Sequence, residues 1–239
     1  MPSSGTTGGL RVLAAETWLA DIAQNVAGQR VHVDALLPAG VDPHEFQPAP
    51  QDAIKLAQAN VLIVNGLGYE TWLADLVQEA GGNRTVVTAT QDIPPNGDPP
   101  DPHMWMDPLN VVHYVVNIRQ ALIQADPAGK DIYSANAEAY IAKLKALDTY
   151  IKSQVAQVPP EKRLLVTNHD ALGYFAHAYG FQIVGAVVAS VTNEASPSAQ
   201  QMAALIDTIK RTKAPAVFLD VSENRSLADE IASSTGAKV

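Results

Sequence analysis

Six histidines, at positions 32, 44, 103, 113, 169 and 177, stand in a chain of 239 residues that has no cysteine. The missing thiols exclude disulfides, thiolate metal sites, iron–sulfur clusters and cysteine nucleophiles, so any metal site must use imidazole and carboxylate. Three of the histidines share a stiff local setting: Val41-Asp42-Pro43-His44-Glu45, Asp101-Pro102-His103-Met104-Trp105-Met106-Asp107-Pro108 and Thr167-Asn168-His169-Asp170. Proline fixes the backbone beside two of them, which lowers the ordering entropy lost when a cation gathers the imidazoles. Taken alone, His44, His103 and His169 read either as metal ligands or as surface polar residues.

The elements that must position them follow from hydrophobic periodicity. Leu10–Ala14 predicts a strand and Thr17–Ala27 a helix closed by Gly28. Val31–Leu37 predicts a strand, Gln51–Ala59 a helix, Val61–Val64 a strand, Glu70–Ala80 a helix and Arg84–Ala89 a strand. Ile93–Pro102 is rich in proline and must be an extended loop. Asp107-Pro108 supplies an N-cap and a first-turn proline for a helix through Ala125, and Asp126-Pro127 starts another. Tyr140, Leu144, Leu147, Ile151, Val155 and Val158 recur every three or four residues, which predicts one long amphipathic helix over Asn136–Val158. Strands then follow at Leu164–Thr167, Phe181–Val188 and Ala216–Leu219, with helices from Ala171, from Pro197 after a Ser196 cap, and over Ser226–Ser234.

Alternating strands and helices mean parallel sheets covered on both faces. The fold class expected is therefore α/β, with two lobes of mostly parallel sheet. The expected boundaries are a leader over 1–9, an N-terminal lobe over 10–133, a linker helix over 134–158 and a C-terminal lobe over 159–239. His44, His103 and His169 each follow a strand, at the carboxyl ends where parallel sheets place ligands. His32 falls within a strand, while His113 and His177 fall on helices, and these three read as structural or surface residues.

Composition narrows the function. Sixteen Lys and Arg against 25 Asp and Glu give a net charge of −9, with no basic cluster, which argues against nucleic acid or an anionic membrane surface as partner. The first nine residues carry neither a basic nor an apolar segment of a signal peptide, and no apolar run approaches a membrane span. Asn65-Gly66-Leu67-Gly68-Tyr69-Glu70-Thr71 follows a strand but lacks the third glycine of a dinucleotide loop, so it reads as a tight connection. Trp72 and Trp105 read as packing residues, and Asp170 as a cap for the next helix or a partner of His169.

Four segments together carry a resemblance: Asp42-Pro43-His44-Glu45-Phe46, Asn65-Gly66-Leu67-Gly68-Tyr69-Glu70, Asp101 through Pro108, and Asn168-His169-Asp170-Ala171-Leu172-Gly173-Tyr174-Phe175. In order and spacing they resemble the zinc/manganese solute-binding proteins of bacterial ABC metal importers, from Leu10 to Val239. The resemblance implies that His44, His103 and His169 ligate the metal in a cleft between two lobes, and that the segment Asn136–Val158 is the rigid helix joining them. It implies extracytoplasmic capture of Zn²⁺, with Mn²⁺ the second choice, and delivery to a membrane permease by a monomeric, non-enzymatic, lipid-anchored or periplasmic protein.

Two departures from the family pattern stand out. Family members continue with a further strand, an aspartate ligand and a final helix, so the chain reads as short at its C-terminus, with its signal segment also outside the chain. Water or one of Glu45, Glu70 and Asp220 is then expected in the fourth ligand position. The stretch Thr88–Pro102 lacks the His-rich loop of many zinc-specific members, while histidine at the third ligand position favours zinc over manganese. The competing readings are a zinc-dependent hydrolase using three histidines with an open fourth position, and a related binding protein or adhesin on the same scaffold. No His-Glu-x-x-His motif supports the hydrolase.

Overall fold

Short β-branched runs separated by helix-length segments leave parallel pairing as the economical arrangement, because each strand must cross back over the sheet before the next begins. A computed structural model bears this out and describes residues 9–41, 43, 46–188, 197–219 and 225–239. Two compact units emerge, one of residues 1–94 with 109–146, the other of 95–108 with 147–239.

The first unit holds a four-stranded parallel sheet in the order β2-β1-β3-β4, with β1 at Val12–Ala14, β2 at Val33–Ala35, β3 at Val61–Val64 and β4 at Thr85–Thr88. Val12 pairs with Val33 on one side and Val61 on the other, and Val61 pairs with Thr85. All four residues of β3 are buried, so both faces of the central strand are covered. On one face Leu13, Leu62 and Val64 meet Leu56 of α2 (Pro50–Gln58) and Leu73 and Leu76 of α3 (Leu73–Ala80). Helix α1 (Thr17–Ala27) packs on β1, β2 and β3. Helices α4 (Pro108–Ala125) and α5 (Lys130–Val155) follow, α5 supplying residues to both units.

The second unit holds a three-stranded parallel sheet in the order β6-β5-β7, with β5 at Leu164–His169, β6 at Gln182–Val188 and β7 at Val217–Phe218. An irregularity between Leu165 and Val166 shifts the β5–β6 register. Val166, Val187 and Val217 pack on Leu205 and Ile209 of α7 (Ala199–Thr212) and on Ala228 and Ile231 of α8 (Arg225–Thr235). Helix α6 (Gly173–Tyr179) connects β5 to β6. Beyond α8, Lys238 bonds to the backbone of Pro215 and Val217 and extends the sheet by a bridge to Ala216.

The α/β class with parallel sheets and a long helix agrees with the sequence reading, and three details differ. The long helix begins at Lys130 and runs for 26 residues, roughly 39 Å at the standard rise, after a single 3₁₀ turn over Pro127–Gly129. Helix α7 begins later than expected, at Ala199, and Ser198 caps it, its hydroxyl accepting from the Gln201 N–H while the Gln201 side chain accepts from the Ser198 N–H; Ser196, the cap expected from sequence, lies outside the described residues. Residues 95–108, assigned to the N-terminal lobe from sequence, group with the second unit, where Asn96 and Asp101 bond to Tyr174 of α6.

The turn into α5 is fixed by a buried charge pair. Arg30 grips Asp126 with two bonds, Nε to Oδ2 at 2.5 Å and Nη2 to Oδ1 at 2.9 Å, and the Tyr133 hydroxyl donates to the same carboxylate at 2.7 Å. The guanidinium holds the Asp126 carboxyl below the usual range, while burial, aided by Asp126, pushes the Tyr133 phenol up to about 12. Gly129 lies against both Arg30 and Tyr133, and a methyl group there would collide with each. Gly129→Ala is therefore expected to lower the urea midpoint by the equivalent of about 1–3 kcal/mol, the usual cost of overpacking. An unchanged midpoint would show that this corner repacks freely.

Candidate metal centre

The second unit brings two of the three singled-out histidines together. His103 occupies the position before a 3₁₀ turn over Met104–Met106 and is 1% exposed. Asp101, two residues earlier, accepts from the His103 backbone N–H at 2.9 Å and lies 2.8 Å from Nδ1 of its ring. A carboxylate accepts here, so in the neutral ring the tautomer that this bond selects has its proton on Nδ1 and leaves Nε2 as the nitrogen with a lone pair for a cation. The bond fixes both ring orientation and tautomer, the arrangement that makes imidazole an effective ligand.

Asp101 is itself held. The Tyr174 hydroxyl donates to its backbone carbonyl at 3.0 Å and accepts from the Asn96 N–H at 2.9 Å, tying the proline-rich segment to α6. A side chain on Gly173 would come within 2.8 Å of Asp101 Oδ2, so glycine at the first residue of α6 is what lets the carboxylate approach. From sequence, Asp101, Gly173 and Tyr174 fall inside the family-like motifs without a role of their own. The one local signal is the Asp-Pro-His spacing, since a carboxylate two residues before a histidine can fold back onto its ring.

His169 is the last residue of β5, where its backbone pairs with Val188. Its ring centroid lies 5.2 Å from that of His103, with the planes inclined by 56°. The Trp105 ring lies equally near His103, at 5.2 Å, which supports the packing role expected of it. His169 also lines a small, mainly apolar cavity of about 130 Å³ with Met106, Thr167, Ala171, Leu172, Phe218 and Leu219. Asp170 does not cap the next helix, because α6 starts at Gly173 with Leu172 at the cap position. Burial raises the Asp170 carboxyl and the charge of Asp101 adds to this, with His103 and His169 opposing it.

In the first unit, His44, the third candidate, lies outside the described residues, as do Glu45 and Asp42. Its flanks are tied to Trp72: the indole N–H donates to the Pro43 carbonyl at 2.9 Å, and the ring meets Phe46 edge-on at 4.8 Å. A residue read from sequence only as packing thus anchors the chain on both sides of His44. The connection after β3 turns through positive φ at Gly66, Leu67 and Gly68. Glu70 closes it, its two carboxylate oxygens accepting from the N–H groups of Asn65 and Gly66. With its oxygens so occupied, Glu70 is poorly suited to the fourth-ligand role considered from sequence, and Asp220 falls outside the described residues.

His32, paired with Asp34 at 3.2 Å, is on the surface, and so are His113 and His177. Among the described residues no group of three His, Asp or Glu side chains is placed to hold a metal ion. No described helix is long and apolar enough to cross a membrane.

Comparison with known proteins gives this geometry a family. The family model described as zinc-uptake complex component A, periplasmic, matches residues 12–239. The manganese-binding lipoprotein MntA of Halalkalibacterium halodurans is 38% identical, over 97% of this chain and 77% of its own length. The iron-binding protein YfeA of Yersinia pestis is 33% identical, over 98% of this chain and 77% of its own. A manganese-bound periplasmic metal-binding protein from Candidatus Liberibacter asiaticus superposes with a TM-score of 0.85 at 30% identity, covering 95% of this chain and 86% of that one. The relatives are binding proteins and not enzymes, which removes the hydrolase alternative. The chain belongs to the zinc-uptake complex component A family, the periplasmic metal-binding components of ABC importers.

Proposed function

We propose that this substrate-binding protein captures Zn²⁺ outside the cytoplasm through His44, His103 and His169 and hands it, as a monomer, to the permease of its importer. The observation that carries the reading is the close pair of His103 and His169 rings, with Nδ1 of His103 committed to Asp101. Neutral imidazoles are borderline donors that suit Zn²⁺ better than Mn²⁺, which prefers oxygen. The family description points the same way, although MntA and YfeA are named for manganese and iron. Water or a carboxylate completes the coordination.

The direct test is titration of the metal-stripped protein with Zn²⁺ and Mn²⁺ against a chelating indicator. One equivalent of Zn²⁺ is expected to bind at least about tenfold more tightly than Mn²⁺, the order that imidazole donors favour. Equal or tighter Mn²⁺ binding would overturn the choice of metal. His103→Ala is expected to weaken Zn²⁺ by more than about 100-fold, because losing a ligand exceeds losing a ligand's hydrogen-bond partner. Unchanged affinity in that variant would remove His103 from the ligand set.

Two finer outcomes follow from the same groups. Asp101→Asn leaves the backbone contact but weakens the bond to Nδ1, and is expected to lower Zn²⁺ affinity by about 10–100-fold. Protons compete with the metal for imidazole, so affinity should fall as pH drops, and a profile flat from about pH 7.5 to 5.5 would contradict histidine ligation.

A further inference from the structure

The first unit buries a second pair of ionisable groups. Glu16 follows β1 and occupies the N-cap position of α1, yet its side chain makes no capping bond. It is 1% exposed, and among the described residues no other residue donates an N–H or O–H to either of its oxygens. Strand β1 lies beside β3, with Ala14 opposite Ile63 and the Ala15 N–H bonded to the Ile63 carbonyl at 2.9 Å, so Glu16 leaves the sheet alongside the Asn65–Glu70 turn, where its neighbour is the carboxyl of Glu70, which already accepts from the N–H groups of Asn65 and Gly66. Two carboxylates in contact in a buried setting cannot both be ionised. The backbone donors sit on Glu70, so the negative charge belongs there and the proton on Glu16.

We propose that Glu16 and Glu70 form a proton-binding site, in which one proton carried by Glu16 and donated to Glu70 latches the Asn65–Glu70 turn to the start of α1. Burial raises the Glu16 carboxyl well above its usual range and the charge of Glu70 adds to this, while the backbone donors partly offset the effect of burial on Glu70. Among the described residues Glu70 is the charged group that acts on Glu16. The surrounding polar wall is neutral: the Tyr114 hydroxyl of α4 donates to Asn65 Oδ1, and Trp18 of α1 packs against the rings of Tyr69 and Tyr114. No positive side chain of the described residues forms an ion pair with either glutamate, so a proton is what balances the pair.

The latch is pH-sensitive with a defined sign. A carboxyl raised in the folded state binds more protons folded than unfolded, so stability falls as pH climbs above the unfolded value of about 4.3 toward the folded one. In Glu16→Gln the amide N–H donates to Glu70 at every pH and that slope disappears.

The experiment is a carbon-13 NMR titration of the glutamate carboxyl groups in the full chain, joined to urea unfolding of the wild type and Glu16→Gln. The expected result is that Glu16 stays protonated after the exposed glutamates have ionised, and that the advantage of Glu16→Gln in urea midpoint grows as pH rises. Ionisation of Glu16 together with the exposed glutamates would overturn the proposal even if Glu16→Gln failed to fold. A Glu16→Gln variant with the same pH slope as the wild type would overturn the latch. Release of the Glu16 proton on adding excess Zn²⁺ would overturn it too, by showing that the pair binds a cation.

Discussion

The inner strands of a parallel sheet must be covered on both faces, and much of this molecule follows from that constraint. Parallel neighbours require crossover segments long enough to return across the sheet, and those segments become the helices that cover it. The four residues of β3 are buried without exception, and Val166 of β5 is equally enclosed. With the backbone polar groups paired in the sheet and the side chains used for packing, chemistry is displaced to the segments that leave the strands. Glu16 follows β1, the Asn65–Glu70 turn follows β3, and His169 ends β5.

In the segments around the histidines and turns, a carboxylate or carbonyl oxygen recurs as the acceptor that ties two groups together. Asp101 holds the ring of His103, Glu70 holds the amides of its own turn, and the Pro43 carbonyl is held by Trp72. Each is a bond between a side chain and a local partner a few residues away or across one packing layer. Such bonds cost little to form once the helix behind them is docked, and they suit a binding protein, whose cation must meet ligands already oriented. Gly173 and Gly66 serve the same end from the opposite direction, since a methyl group at either position would meet Asp101 or Thr88.

The two buried charge systems of the first unit solve the same problem differently. Asp126 is satisfied by Arg30 and Tyr133, so its charge is balanced by a cation and two kinds of donor. Glu16 has no such cation among the described residues and meets another carboxyl instead. The first arrangement keeps its carboxylate ionised, the second favours a retained proton, and the difference lies in which neighbour the fold delivers.

The alternation of strands and helices, the proline-rich segment, the long helix and the motifs that resemble metal-binding importers were legible in the sequence, because periodicity and proline act over a few residues. The absence of cysteine by itself restricts the donors of any metal site to imidazole and oxygen. Local competition was harder to read: Ser198 caps α7 because Gln201 lies at the right offset to answer it, and α6 begins beyond the reach of Asp170. Only the tertiary structure decided that His103 meets His169, that Gly173 makes room for Asp101, and that Glu16 is buried against Glu70. These are contacts between residues far apart in the chain, set by how helices dock on sheets. No local pattern encodes that docking, whereas the composition and spacing of the chain encode the elements that dock.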